Sequence, residues 1–117
     1  MNNLQATKVY SDAYAMALLI FQRTKSIPKA QRPTLGRSIE EATLELLTAL
    51  RAASVAESHS QKKHHCLRAS DALDRLRIFA QLLKDLNCFS ENGYFEISEQ
   101  SAEVGRQLGG WLKVLKT

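Results

Sequence analysis

Four stretches of this chain repeat apolar residues every three or four positions, a period that gathers them on one face of an α-helix. Over residues 7–25, approximately, the stripe is Val9, Ala13, Met16, Ala17, Ile20 and Thr24. Over 33–56 it is Leu35, Ile39, Ala42, Thr43, Leu46, Leu50 and Ala53, and over 58–86 it is Ala69, Ala72, Leu73, Leu76, Phe79, Leu83 and Leu86. The last, over 98–115 with Ile97 at its edge, continues through Ser101, Val104, Leu108, Trp111 and Leu115. Helices of about 20 residues are ~30 Å long, and short connections make successive helices antiparallel. The pattern therefore predicts an all-α, antiparallel up-down-up-down four-helix bundle, with residues 1–117 forming one domain.

The punctuation agrees with these limits. Ser26-Ile27-Pro28 stops the first helix, because a residue before proline avoids the α region. The second start has two readings: Pro33 suits a first turn, and Ser38-Ile39-Glu40-Glu41 reads as a capping box. Ser58 and Gln61 stand at capping spacing for the third helix. Asn87 suits a left-handed C-terminal position. Residues 87–93 read as a loop ending in the turn signal Asn92-Gly93.

Composition narrows the function classes. Hydrophobic residues make up 44% and charged residues 24%, which suits a folded domain rather than a disordered one. Cys66 and Cys88 are too few for a disulfide framework and suit a reducing compartment. Met1 to Gln5 lacks the basic start and apolar run of a signal peptide. The longest apolar stretch, 13–21, is too short to span a bilayer. The expectation is a cytoplasmic protein without a membrane partner.

No catalytic residues are expected, and no cofactor. Glu40, Glu41 and Glu45 lack the Glu-x-x-His elements of a di-iron bundle. No nucleophile elbow or phosphate-cradling glycine loop is present. His64 and His65 are adjacent and point about 100° apart on a helix, so with His59 and Cys66 they make no shared metal face. Gly105, Gly109 and Gly110 lie within helical sequence, where each costs up to ~1 kcal/mol relative to alanine. Close approach of a neighbouring helix beside Trp111 is the reading that explains them.

The formal net charge of +4 favours polyanionic partners such as RNA, DNA or acidic membranes. In an up-down bundle Lys8, Arg51, Lys62, Lys63, Lys113 and Lys116 gather at one end with the three histidines. The opposite end mixes Arg23, Lys25, Lys29, Arg32 and Arg37 with Glu91, Glu96, Glu99 and Glu103. On the third helix Arg68 and Arg75 flank the core stripe on one side, and Arg77 and Lys84 on the other. Such cations bind phosphates by charge neutralisation and counterion release. No motif with stacking aromatics is evident, so binding should be salt-dependent and weakly sequence-specific.

Apolar side chains also fall off the core stripes: Leu67, Ile78 and Leu82 on the third helix, Leu18 and Leu19 on the first. Single exposed leucines are ordinary, but sets on two helices point to a subunit interface and a homo-oligomer.

Three segments, in order, carry a family likeness. They are Pro33-Thr34-Leu35-Gly36-Arg37-Ser38-Ile39-Glu40-Glu41-Ala42-Thr43-Leu44-Glu45-Leu46-Leu47, Ala72-Leu73-Asp74-Arg75-Leu76-Arg77-Ile78-Phe79, and Val104-Gly105-Arg106-Gln107-Leu108-Gly109-Gly110-Trp111-Leu112-Lys113. Together they resemble the accessory variability determinant (Avd) proteins of diversity-generating retroelements. That wider group includes four-helix proteins encoded within intervening sequences of bacterial ribosomal RNA. The ribosomal-RNA branch carries Asn-Ile-Ala-Glu-Gly in its second helix, whereas this chain has Leu50-Arg51-Ala52-Ala53, which favours the retroelement branch. The resemblance implies a pentameric ring with a basic surface, in which five copies at +4 would carry about +20. It also implies binding to nucleic acid and to the element's reverse transcriptase during mutagenic cDNA synthesis from template RNA. By position, Arg75, Arg77, Arg106 and Lys113 fall in the matching segments. The competing reading is a non-catalytic protein-interaction scaffold of the ribosomal-RNA intervening-sequence type, its basic surface meeting an acidic partner.

Overall fold

Heptad-like stripes become buried seams once the helices pair. In the computed structural model, which describes residues 3–115, four helices run in order: α1 (Asn3–Arg23), α2 (Arg37–Val55), α3 (His59–Asp85) and α4 (Glu91–Leu115). Each packs against two others in cyclic order, α1 on α2, α2 on α3, α3 on α4 and α4 back on α1. The bundle measures 44 × 23 × 19 Å.

The stripes of α1 and α4 are buried throughout, from Val9 to Thr24 and from Ile97 to Leu115. On α2 all but half-buried Leu35 are buried, and Ala49 joins them. On α3 the centre of the stripe is buried, Phe79 packs against its margin, and Cys66 and Ala80 belong to the core. Leu86 was expected inside but is exposed. Its position is the C-cap of α3, where the chain turns away from the helical register. Removing a leucine or isoleucine from water is worth roughly 1.5–3 kcal/mol, so these seams hold the helices together. Two buried hydroxyls are satisfied locally: Thr43 donates to the Ile39 carbonyl at 2.7 Å and Ser101 to that of Ser98 at 2.9 Å.

The connections explain where the helices stop. After α1 a single 3-10 turn (Thr24–Ser26) leads to Ile27, fully buried at the end of the bundle. Arg32 fastens this link, donating to the carbonyls of Ile27 and Lys25. A π-helical turn (Arg32–Gly36) with Pro33 in its first positions runs straight into α2. Pro33 thus marks the start, and Ser38, the other candidate, lies inside the helix rather than capping it.

Ser58 caps α3 by accepting from the Gln61 N–H at 3.1 Å. At the far end Asn87 takes a left-handed φ of 61°. Cys88 N–H then reaches the Leu83 carbonyl and Asn87 N–H that of Lys84, a Schellman closure. The loop is shorter than the sequence suggests, because α4 begins at Glu91. Ser90 caps it by accepting from the Gly93 N–H at 3.0 Å. Gly93 is a packing residue: a Cβ there would lie 3.1 Å from Ser90 Oγ and 3.5 Å from the Arg23 side chain.

The other helical glycines divide. A Cβ on Gly105 would stand in ordinary contact with Leu73 of α3 at 3.4 Å, so Gly105 faces that helix but the approach does not require a glycine. Gly109 and Gly110 face open space, with nothing within 4 Å. The close approach expected beside Trp111 is not made at those two positions by any described part of the chain.

Candidate nucleic-acid interface

Antiparallel packing brings the start of α1, the end of α2, the start of α3 and the end of α4 to one pole of the bundle. Polar ties hold that pole together. Lys62 donates from Nζ to the Ala53 carbonyl at 3.2 Å, joining α3 to the end of α2. His59 Nε2 lies 2.5 Å from the Leu115 carbonyl, joining α3 to the end of α4. Both contacts satisfy carbonyls that a helix C-terminus leaves open.

Cations at this pole fall into two kinds. Arg51, Lys63 and Lys113 have no carboxylate within ion-pair reach among the described residues, and Lys62 touches only a backbone oxygen. Glu57 is the acidic residue nearest the corner in sequence. Lys8, one turn further in, is shared between Asp12 at 2.8 Å and Glu103 at 3.6 Å, which raises its pKa, the Asp12 hydrogen bond contributing most.

The remaining candidate cations are largely engaged. Arg68 donates twice to Glu45 Oε1, at 2.9 and 2.5 Å, tying α3 to α2. It also approaches His65 Nδ1 at 2.8 Å, and His65's pKa is lowered, first by desolvation and then by the charge of Arg68. Arg75 pairs with Asp71 at 3.0 Å and Arg106 with Glu103 at 2.6 Å. Glu103 is consequently held far down, at about 2, chiefly by the Arg106 hydrogen bond. Lys84 sits 3.7 Å from Asp85 and over the Tyr94 ring at 5.2 Å. Arg77 is exposed at mid-length beside Gly105 and has no acidic partner among the described residues. Lys116 lies outside the described residues.

The structure thus brings Lys62, Lys63 and Lys113 together at one pole with Arg51, and distributes Arg68, Arg75, Arg77, Lys84 and Arg106 along the flanks. At the opposite pole Arg23 pairs with Glu96 at 2.6 Å and Arg37 with Glu41 at 3.2 Å, while Arg32 reaches only backbone carbonyls and Glu91, Glu96 and Glu99 of α4 bring carboxylates to the same end. A pattern of i, i+4 acid–base pairs flags Arg75–Asp71 in the sequence. The Arg68–Glu45 pair, 23 positions apart, leaves no local trace.

Among the off-stripe apolar side chains, Leu18, Leu67, Ile78 and Leu82 are exposed, whereas Leu19 leans on the core margin. Tyr14 and Leu44 are exposed as well. Sequence reasoning passed over one further feature: Tyr10 and Tyr14, four residues apart, bring their rings to 6.3 Å on the α1–α2 side. Among the described residues, no group of three or more His, Cys, Asp or Glu side chains is placed to hold a metal ion. No helix among them is long and apolar enough to cross a membrane.

The profile of a protein family described as bAvd-like matches residues 7–115. The fold is similar to the crystal structure of a protein of unknown function from the S23 ribosomal protein family of Bacteroides thetaiotaomicron. That match has a TM-score of 0.83 at 18% identity, covering 97% of this chain and 99% of the other. No curated protein matches the sequence.

Proposed function

The chain belongs to the bAvd-like family, and from that premise we propose that it is a nucleic-acid-binding accessory protein of a diversity-generating retroelement. In this reading it acts without catalytic groups of its own, in the cytoplasm. It associates with the element's reverse transcriptase and template RNA and supports mutagenic cDNA synthesis. Self-association, to the pentamer that the Avd resemblance implies, multiplies its charge and covers apolar side chains such as Leu18, Leu67, Ile78 and Leu82.

What supports the reading is the pole to which the antiparallel topology brings Arg51, Lys62, Lys63 and Lys113, none of them with a carboxylate partner among the described residues. A cation already paired with a carboxylate must give up that pair to reach a phosphate. An unpaired one releases condensed counterions at no such cost. Carrying them on rigid helices removes the backbone ordering that binding would otherwise require.

The test is a salt titration of RNA affinity. Each phosphate neutralised on a single strand contributes about −0.7 to the slope of log K against log salt. Lys63→Glu with Lys113→Glu should weaken binding steeply and flatten the slope by about 1.4 for each protomer engaged. Arg75→Glu, at a position already neutralised by Asp71, should do less. Equal losses from both variants, or no RNA binding by the parent in dilute buffer, would remove the basis of the proposal.

A further inference from the structure

Beside the basic pole, a groove runs between α1 and α2. One part, about 420 Å³, is lined by Tyr10, Leu44, Leu47, Thr48, Arg51 and Ala52. A second part, about 340 Å³, continues past Ala6, Thr7 and Ser54 and shares Tyr10 and Arg51 with the first. Neither part has an acidic lining residue. Tyr14 stands half-exposed next to Tyr10, its ring 6.3 Å away and tilted by 34°.

We infer that this groove receives the unpaired bases of single-stranded nucleic acid. The inference rests on the nucleic-acid-binding reading above and adds a preference that the basic pole alone does not supply. Single-strand sites join a positively charged track to aromatic faces on which bases stack. Here the aromatic faces are Tyr10 and Tyr14, and the adjacent charge is the Arg51 guanidinium. Thr7 supplies a hydroxyl, and Thr48 and Ser54, whose protons go to the Glu45 and Arg51 carbonyls, can still accept from base edges.

Charge complementarity selects the occupant. An acidic helix could meet Arg51, but it would meet no second cation within the groove. A polynucleotide threads its bases past the tyrosines and its phosphates past Arg51 toward Lys62 and Lys63. A second copy of the chain would have to place a carboxylate against Arg51 to avoid burying its charge unpaired. Duplex nucleic acid keeps its bases stacked internally and has nothing to offer the tyrosine rings. Arg51 belongs to both the groove and the pole, so the two features form one path.

The experiment compares a single-stranded RNA of about 12 nucleotides carrying one 2-aminopurine with the duplex of equal length. Parent protein should bind the single strand more tightly and change the 2-aminopurine emission on binding. Tyr14 is exposed, so Tyr14→Ala is expected to leave the fold intact. It should weaken single-strand binding at least about fivefold, the lower end of what a base–aromatic stack contributes. Duplex affinity should stay unchanged, and Tyr14→Trp should restore single-strand binding. Equal effects on both nucleic acids, or none on either, would overturn the inference while leaving the basic pole as the binding surface. Unchanged RNA affinity with a smaller assembly mass for Tyr14→Ala would assign the groove to a second copy instead, also against the inference. Failure of the parent to bind either nucleic acid would bring down both readings.

Discussion

Replacing Gly109 and Gly110 together by alanine should raise the melting temperature. Both residues lie within α4 and have right-handed helical φ, and a Cβ at either position meets nothing within 4 Å. The substitution thus adds no clash and removes the conformational freedom that glycine brings to the unfolded chain. In a helix interior alanine is favoured over glycine by about 0.8–1 kcal/mol. Gly110 is close enough to the end of α4 for fraying to reduce its share. A combined gain of about 1–2 kcal/mol follows. At about 2.1 cal/mol/K per residue, unfolding 117 residues releases roughly 0.25 kcal/mol/K, so the shift should be about 4–8 °C. Circular dichroism melts at matched protein concentration measure it, the match being needed because self-association raises apparent stability. Gly105→Ala is the internal comparison: its Cβ would make ordinary contacts with Leu73 at 3.4 Å and Arg77 at 3.7 Å, so it too should stabilise, by about 1 kcal/mol. An unchanged or lowered melting temperature in the double variant, with helicity retained, would refute the reasoning. It would mean that something occupies the space over these glycines.

Three further outcomes are expected. Ser58→Ala removes the acceptor for the Gln61 N–H and should cost about 1 kcal/mol, or roughly 4 °C; Ser54→Ala, whose hydroxyl only bonds back to the Arg51 carbonyl, should cost clearly less, and equal losses would contradict the cap. Glu103 is held at about 2 against an ordinary 4.5, so its contribution to stability is complete above about 4.5 and is lost as pH falls toward 2. Asp12, also lowered, mainly by the Lys8 hydrogen bond, acts in the same direction. Glu103→Gln should flatten that limb of the acid-unfolding profile, and an unaltered limb would disprove the assignment. Cys66 is fully buried with its thiol pushed up to about 11, so it should resist thiol reagents at mildly alkaline pH until denaturant is added; rapid labelling of the folded protein at Cys66 would contradict its placement.

The helices and their buried faces were legible because burial leaves a period in the sequence. Val9 to Thr24 and Ile97 to Leu115 needed no tertiary information. Caps were legible where the capping pair is local, as with Ser58 and Gln61, and where one residue type dominates a conformation, as with Asn87. Errors arose where a local signal served a distant purpose. Asn92-Gly93 reads as a turn, yet Gly93 lies inside α4, where a Cβ would come within 3.1 Å of the capping Ser90 Oγ and would also touch the Arg23 side chain of α1. Ser90 followed by Glu91 was the available sign of an earlier start. Ser38 has the spacing of a capping box, but the π-turn from Arg32 had already begun the helix. The candidate interface was half legible. Which cations meet at each end followed from topology, whereas the Arg68–Glu45 pair depends on three-dimensional register. The Tyr10–Tyr14 spacing was in plain view, and only the groove beside it gives it meaning.

One packing feature reaches beyond the native state. Helices α2 and α3 share the most extensive contact of any pair, and both carry small residues in the core, Ala42 and Ala49 on one and Ala72 on the other, all fully buried. They are also joined by the shortest described connection, between Val55 and His59. A short link makes ring closure cheap in entropy, and small side chains reach their final positions without searching rotamers. This hairpin is therefore where the folding reaction should begin, with α1 and α4 docking afterwards, and the basic corner at its turn is assembled before the rest of the bundle exists.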